Sequence, residues 1–164
     1  MAVAPGLPAR GSSQALADRG RHPVETSLLA LLNQERAKRG LGPLHGSGTL
    51  ARAARWQSRD MVAHRYFAHG RRGGPDLVKR IRRTGYLNHA GRWVVGENIG
   101  WAAGRLATPN AMVASWMRSA GHRHNILDRT FESIGIGVVA DDPARGRDSP
   151  ALTVTTDFGF RSRR

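Results

Sequence analysis

Residues 134–139 have the sequence Ile-Gly-Ile-Gly-Val-Val, and residues 152–158 have the sequence Leu-Thr-Val-Thr-Thr-Asp-Phe. In both stretches bulky side chains alternate with a second set, with Ile134, Ile136 and Val138 in the first and Leu152, Val154, Thr156 and Phe158 in the second. This spacing places each set on one face of a β-strand. The segment between the two stretches, residues 141–150, is polar and rich in turn-forming residues. The pattern predicts an antiparallel hairpin with a long connection near the end of the chain.

Helical patterns dominate the chain before this hairpin. Apolar residues recur at helical spacing from Val24 to Leu32, and Gly40 follows as a stop signal. Three further helices are predicted: residues 47–63, a short basic helix from Pro75 to about Gly85, and a helix from Thr108 to Gly121. A third strand is predicted within residues 93–101. Helices followed by strands indicate the α+β class and exclude a dinucleotide-binding βαβ fold.

The length of 164 residues indicates one folded domain. We predict a disordered leader over residues 1–22, a domain over residues 23–160 and a basic tail over residues 161–164. The leader lacks the apolar core of a signal peptide, although Ala15-Leu16-Ala17 has the small-x-small form of a cleavage site. The sequence contains no uninterrupted stretch of 18 apolar residues, so no transmembrane helix is predicted. We expect a monomer.

The charge composition is strongly basic. Lys and Arg number 26 against 12 Asp and Glu, which gives a net charge of +14. Such an excess suits a nucleic acid, an anionic lipid or an acidic polymer as partner, but solvated arginines without a partner would give the same count. Cysteine is absent, which excludes disulfides, a thiolate nucleophile and cysteine-ligated metal sites.

Three residues at the edges of predicted elements are candidates for chemistry: His69, Glu97 and His122. Two imidazoles and a carboxylate could bind a divalent ion and leave a position open to water. They could equally form a metal-free acid–base cluster, or a polar pocket with a structural role only. A nucleophilic pair of Ser115 or Ser119 with His122 is also conceivable. Solvated or capping roles are expected for the remaining histidines, which are His22, His45, His64, His89 and His124.

Seven short motifs appear in an order that resembles one known family. They are Leu32-Asn33-Gln34-Glu35-Arg36 with Gly40-Leu41-Gly42-Pro43-Leu44, the helix from Leu50 to Met61, Tyr66-Phe67-Ala68-His69, Gly96-Glu97-Asn98-Ile99, Trp116 to Leu127, Phe131 to Gly137, and Thr156-Asp157-Phe158-Gly159. Together they resemble the CAP superfamily, also called the SCP domain, which includes cysteine-rich secretory proteins, venom antigen 5 and plant pathogenesis-related proteins. The likeness covers about residues 24–160 and is nearest to the short, cysteine-free bacterial branch.

The resemblance implies a three-layer α-β-α sandwich around a small antiparallel sheet, with a central cleft. Animal and plant members carry two His and two Glu in that cleft. His69, Glu97 and His122 match three of these positions, and Ser119 stands where the second Glu would be. Asn125 matches a further polar position of the cleft. The implied metal ligands are His69 and His122, with Glu97 or water completing the shell around Zn²⁺ or another divalent cation.

Three classes of function are expected, the first two from the resemblance and the third from the arginine content. The first is a secreted or cell-envelope binding module whose polar cleft takes a lipid, a glycan or a peptide. The second is a hydrolase in which His69, Glu97 and His122 activate water directly or through a metal. The third is a cationic protein that binds nucleic acid or another anionic polymer through its arginines. Arg71 and Arg72 would make the rim of the cleft cationic in each case.

Overall fold

A computed structural model of the chain describes residues 22–144 and 150–163. Its helices are α1 (Pro23–Ala37), α2 (Gly48–His64), α3 (Leu77–Arg83), α4 (Pro109–Arg118) and α5 (Ala120–Leu127), with a 3₁₀ turn over Gly104–Leu106. Its strands are β1 (His45–Gly46), β2 (Ala90–Ala103), β3 (Ser133–Val139) and β4 (Ala151–Arg163). The predicted leader lies outside the described residues except at His22. No helix of the described ranges is long and apolar enough to span a membrane.

Side chains that cap backbone N–H groups set three of the helix starts. Ser47 accepts from the N–H of Leu50 at the start of α2, and Thr108 caps α4 in the same way. Asp76 accepts from the N–H of Lys79 at 2.7 Å, so α3 begins after Asp76 rather than at Pro75 as predicted. The difference arises because a carboxylate cap satisfies a free donor of the first turn, which proline cannot do.

The four strands form one sheet in the order β1-β3-β4-β2. β3 and β4 pair antiparallel, which confirms the predicted hairpin, and β2 pairs antiparallel with the other side of β4. β2 is therefore an edge strand. The two-residue strand β1 pairs parallel with β3 and was not predicted, because two residues carry no periodicity. Residues 161–163 continue β4 opposite β2 instead of forming the predicted basic tail.

Helices cover both faces of the sheet, which confirms the predicted α-β-α sandwich. On one face α1 and α4 bury the larger core, which includes Leu28, Trp116, Val154 and Phe158. On the other face α2 and α3 enclose a smaller core around Leu50, Ile81 and Tyr86. Helices on both faces explain why β4 is buried over most of its length. Its apolar side chains face α1 and α4, whereas Thr153, Thr155 and Asp157 are buried on the α2 face.

The alternating glycines of β3 decide how closely α2 approaches the sheet. A Cβ atom at Gly135 would lie 2.0 Å from the backbone of Leu50, and one at Gly137 would lie 2.2 Å from the backbone nitrogen of Arg55. The helix backbone therefore rests directly on the strand. This close approach also brings Ser58 of α2 within hydrogen-bonding distance of Thr155. The side chain of Thr155 therefore lies on the α2 face of β4.

The segment after α4 differs from the sequence prediction. α4 ends at Arg118, and α5 begins two residues later, so His122 lies within a helix rather than after one. The sequence signal was weak because α5 has eight residues and a polar composition without a clear apolar face. Tertiary contacts secure it: the guanidinium of Arg36 is buried and donates to the carbonyls of Ile126, Asp128 and Phe131 at 2.9, 2.9 and 3.3 Å.

Candidate functional site

The centre of the candidate site is a hydrogen bond between His69 and Glu97. The Nδ1 atom of His69 lies 2.8 Å from Oε1 of Glu97. The His69 side chain is 61% exposed, whereas that of Glu97 is 2% exposed, so a buried carboxylate on β2 orients an imidazole at the surface. This hydrogen bond is the main cause that raises the pKa of His69 above its ordinary value. The bond occupies Nδ1 and leaves Nε2 of His69 for a ligand.

Arg80 of α3 holds the other oxygen of Glu97. Its guanidinium forms a buried ion pair with Oε2 of Glu97 and donates to the backbone carbonyl of His69 at 2.9 Å. One arginine therefore fixes both the carboxylate and the loop that carries the imidazole. Because each carboxylate oxygen already has a partner, Glu97 acts in this structure as a positioning group. The sequence did not predict this role for Arg80, because its position in a basic helix suggested a solvated charge.

A second buried acid lies beside this pair. Asp157 is directly opposite Glu97 in the β2–β4 ladder and is fully buried. Neither of its carboxyl oxygens accepts a hydrogen bond from a donor group of the described residues, but the Glu97 carboxyl is close enough to share a hydrogen bond with the protonated acid. Burial, followed by the negative charge of Glu97, raises the pKa of Asp157 well above its usual range, while Arg80 opposes the shift. The neutral acid is the favoured form, because an isolated carboxylate in this position would be poorly solvated.

His122 approaches the site from the other face of the sheet. Burial, followed by the positive charge of His69, lowers the pKa of His122 below its ordinary value. Its backbone carbonyl accepts from Nδ2 of Asn98 at 3.0 Å, and Asn125 donates to the backbone carbonyl of Glu97 at 3.1 Å. These two asparagine bonds attach α5 to the edge of β2. The structure thus brings His69, Glu97, His122 and Asn125 together.

Ser119 has a different place from the other four predicted residues. It lies between α4 and α5 as the N-cap residue of α5, and its side chain makes no capping hydrogen bond. The Ser119 hydroxyl has no hydrogen bond to His69, Glu97 or His122 within the described residues. Ser115 borders a groove next to His122, and no hydrogen bond joins these two side chains. No described serine is therefore paired with an imidazole as an activated nucleophile would be.

The remaining histidines lie away from this cluster. The side chain of His22 caps α1 by accepting from the N–H of Val24, and His64 at the end of α2 contacts Asp60. His45 belongs to β1, His89 adopts a left-handed backbone conformation with φ of 57°, and His124 is 3.9 Å from Asp128 on the surface.

Two open cavities flank the site. The first, of about 630 Å³, is lined by the loop from His69 to Leu77, including Arg71 and Arg72, and by Glu97. Arg71 donates to the Asp60 carboxylate at 3.2 Å, whereas Arg72 has no acidic partner among the described residues. The second cavity, of about 460 Å³, borders His122 and is mainly apolar. We call this second cavity the edge groove, because it follows the edge of β2; Phe67, Trp101, Leu106 and Met112 contribute its apolar surface.

The metal site that the resemblance implies is not formed by these residues. The described ranges contain no group of three or more His, Asp or Glu side chains placed to hold one ion. Nδ1 of His69 and both oxygens of Glu97 are engaged within the protein, and Ser119 replaces the second Glu. Two imidazoles remain as donors, fewer than the three protein ligands of a typical catalytic zinc site. Zinc binding stays a prediction for a titration to test.

The three-layer fold is that of a CAP domain. A sequence model of CAP, the cysteine-rich secretory protein family, matches residues 29–157. The chain belongs to this family.

Relatives in Bacillus subtilis support the assignment. The chain is 39% identical over 117 residues to "Uncharacterized protein YkwD" and 31% identical over 114 residues to "Uncharacterized membrane protein YlbC". Each match covers 70% of this chain but only 42% and 31% of the respective relative. The chain thus spans less than half the length of these relatives.

Solved structures agree with the fold. An extracellular protein containing a SCP domain from Bacillus anthracis matches with a TM-score of 0.66 and 26% identity, over 93% of this chain and 44% of that one. An outer surface protein from Borrelia burgdorferi matches with a TM-score of 0.66 and 21% identity, over 84% of this chain and 92% of that one.

Proposed function

We propose that this chain is a ligand-binding module that acts outside the cytoplasm and takes a small ligand in the cleft between His69 and His122. The observation that carries the proposal is the surface imidazole of His69, which a buried Glu97 orients while its Nε2 atom stays free. His69 lines the cavity of about 630 Å³ and His122 lines the apolar groove of about 460 Å³, and both volumes are within the usual range of a small-molecule site.

Binding is favoured over catalysis by the state of Glu97. A general base needs a free oxygen within reach of a water or substrate, and both oxygens of Glu97 are already bound to His69 and Arg80. The carboxylate therefore supports the site rather than reacting in it. The extracellular location rests on the relatives, since the matching Bacillus anthracis protein is described as extracellular and the Borrelia burgdorferi protein as an outer surface protein.

The His69–Glu97 pair also supports a second candidate, a hydrolase in which water is the nucleophile. A carboxylate that binds Nδ1 of an imidazole fixes the tautomer in which Nε2 accepts a proton. His69 would then be the general base and Glu97 its positioning residue. Replacement of Glu97 by Gln would reduce turnover of such an enzyme, whereas a binding module has no turnover to lose.

Displacement of a fluorescent probe tests the proposal. Anilinonaphthalene sulfonate combines an apolar ring system with an anion, so we expect it to bind beside His122 and Arg118. Competitors of three classes are then added: a fatty acid, a chitin or peptidoglycan oligosaccharide, and short peptides. We expect one class to displace the probe. We also expect His69→Ala to weaken the binding of that competitor about tenfold, because one charge-assisted hydrogen bond is lost.

Matched controls separate the outcomes. Trp56→Ala removes an exposed aromatic residue of α2 outside both cavities and should leave displacement unchanged. If displacement disappears in high salt and is unchanged by His69→Ala, the result would instead support binding of an anionic polymer by the arginines. If no class displaces the probe from the parent protein, the binding-module proposal is wrong.

A further inference from the structure

The edge groove exposes the unpaired backbone edge of β2. Glu97 and Ile99 direct their carbonyls away from β4, since these accept from the side chains of Asn125 and Trp116 respectively. In an antiparallel strand the N–H and C=O of one residue point to the same side and alternate along the chain. Trp101, two residues beyond Ile99, therefore also directs its N–H and C=O outward, into the groove that it lines.

These outward groups have no partner. No described residue forms a hydrogen bond with the outward N–H and C=O of Trp101 or with the N–H of Ala103, whereas the carbonyl of Ala103 begins the 3₁₀ turn. At the next position Gly104 donates to the carbonyl of Pro150, which shows that even-numbered residues here face the β4 side. The edge of β2 is thus covered by side chains near Glu97 and Ile99 but open at Trp101 and at the N–H of Ala103. An open edge of this kind is a template for one more strand.

The groove has two walls, one for each face of such an added strand. Ile99 pairs with Thr155, which lies on the α2 face, so the side chain of Trp101 is on that face with Phe67. Gly100 is on the opposite face, where a Cβ atom would lie 2.4 Å from Met112 of α4. Phe67 is 45%, Trp101 40% and Leu106 66% exposed, which is unusual apolar exposure for three neighbours around one cavity.

The charge of the groove indicates the sign of the partner. Of the described residues that line it, none is acidic, while Arg118 and His122 are basic. The whole chain carries a net charge of +14. An occupant with carboxylates would therefore be attracted to this groove, and a cationic one would be repelled.

We propose that the edge groove binds an extended acidic peptide, which pairs with Trp101 and with the N–H of Ala103 as an added antiparallel strand. Apolar side chains of the peptide would alternate between Phe67 on one wall and Met112 on the other, and its carboxylates would lie near Arg118. The mode is β-strand addition, in which backbone bonds supply affinity and alternate pockets supply specificity. This inference rests on the proposed binding function and names the class of ligand.

The backbone edge distinguishes a peptide from a lipid. A lipid chain would contact Phe67 and Leu106 equally well, but it would bury the N–H and C=O groups of Trp101 without a partner. Each buried polar group left unpaired costs about 1–3 kcal/mol. A peptide supplies both a donor and an acceptor at each matching position, so the groove favours it.

Peptides with blocked backbone amides test the proposal. The probes are fluorescein-labelled, amidated pentapeptides of the form Glu-Val-X-Val-Glu, in which X is Val, Leu, Phe or Tyr, measured by fluorescence anisotropy with the full chain. The tightest binder is then resynthesised twice, with N-methyl groups on one or the other alternating set of amides. In an added strand only one set faces β2. We expect one N-methylated peptide to bind about tenfold more weakly and the other to bind within about twofold of the parent.

Two pairs of variants locate the site. Phe67→Ala should weaken peptide binding about tenfold, whereas Trp56→Ala, which removes a similarly exposed aromatic residue, should leave it unchanged. Arg118→Glu should weaken it, whereas Arg92→Glu makes the same change of charge outside the groove and should not. Circular dichroism of each variant checks that the fold is kept.

Equal effects of both N-methylated peptides, or no effect of either, would overturn strand addition. Failure of every pentapeptide to bind would overturn it as well. If a fatty acid or an oligosaccharide still displaces anilinonaphthalene sulfonate in that case, the binding-module proposal stands and only the peptide class is wrong. If none of the three classes binds, both proposals are wrong.

Discussion

Glu97 and Asp157 lie directly opposite each other on β2 and β4, so two buried carboxyl groups occupy the same face of the sheet. Their surroundings differ: Glu97 binds His69 and Arg80, whereas Asp157 has no cationic or donor partner among the described residues and only the Glu97 carboxyl beside it. One acid is therefore paired and the other is only buried. This asymmetry leads to opposite expectations for the two residues when pH or sequence is changed.

The first prediction concerns the stability cost of Asp157. The pKa of Asp157 is raised in the folded state, chiefly by burial, so the unfolded chain releases this proton at lower pH than the folded chain does. The contribution of this group to stability is complete below the ordinary Asp pKa of about 3.9 and declines as pH rises above it. We expect Asp157→Asn, which cannot ionise, to raise the free energy of unfolding by about 1 kcal/mol or more near pH 8.

Urea denaturation at about pH 5 and about pH 8 measures this effect. The increase in the free energy of unfolding caused by Asp157→Asn should be larger at the higher pH. Asp60→Asn is the matched control, since Asp60 is also buried but accepts from Tyr66 at 2.7 Å and from Arg71. We expect that control to destabilise the protein. A loss of stability in Asp157→Asn that grows with pH would contradict the assignment.

The second prediction concerns the charge of His69. The hydrogen bond to Glu97 raises its pKa, so the contribution of this bond to stability is complete below the ordinary imidazole pKa of about 6.5. It is lost as pH rises through the folded pKa of His69. We expect Glu97→Gln to lower the pKa of His69, measured by nuclear magnetic resonance of the imidazole carbon-bound protons. A titration midpoint that does not move would show that the bond is absent in solution.

The third prediction couples the two imidazoles across the cleft. The pKa of His122 is lowered first by burial and second by the charge of His69. We therefore expect His69→Ala to raise the pKa of His122 part of the way towards its ordinary value, in the same resonance experiment. His124→Ala is a fitting control, because it removes an exposed imidazole from the same helix. If His122 responds to both changes alike, the two rings do not share a cleft.

The fourth prediction concerns Arg36, which ties α1 to α5. Its buried guanidinium donates to four backbone carbonyls, those of Gly42, Ile126, Asp128 and Phe131. Lysine has one compact ammonium and cannot bind all four, so we expect Arg36→Lys to lower the free energy of unfolding by about 3 kcal/mol. Arg39→Lys changes an exposed arginine of the same helical end and should stay within about 0.5 kcal/mol. Equal effects would argue against a buried anchor.

The fifth prediction concerns the contact between α2 and β3. A methyl group at Gly137 would overlap the backbone of Arg55, and backbone cannot move aside as a flexible side chain can. We expect Gly137→Ala to destabilise the protein by about 3 kcal/mol or to prevent folding. Gly42→Ala places its methyl group in open space at ordinary φ, and it should be nearly neutral. Thermal unfolding followed by circular dichroism compares the two.

Local sequence patterns were sufficient for the main elements. The alternation at residues 134–139 and 152–158 predicted β3 and β4 because two-residue periodicity is a property of the strand itself. α1, α2 and α4 followed from apolar spacing, and the start of α4 also from Thr108 followed by Pro109, signals that act within a few residues. His69, Glu97 and His122 were selectable as candidates because polar residues at element edges are where sites are usually presented.

The convergence of those residues was decided only by tertiary structure. In the sequence Arg80 is one of several charges in a basic helix, and only the packing of α3 places it against Glu97. Asp157 is one residue of a strand pattern, and only the pairing of β2 with β4 places it opposite Glu97. The edge groove depends on β2 lying at the sheet edge, which is a matter of strand order. Periodicity and capping act over a few residues and are written in the sequence, whereas pairing, burial and shifted pKa values arise from groups that are distant along the chain.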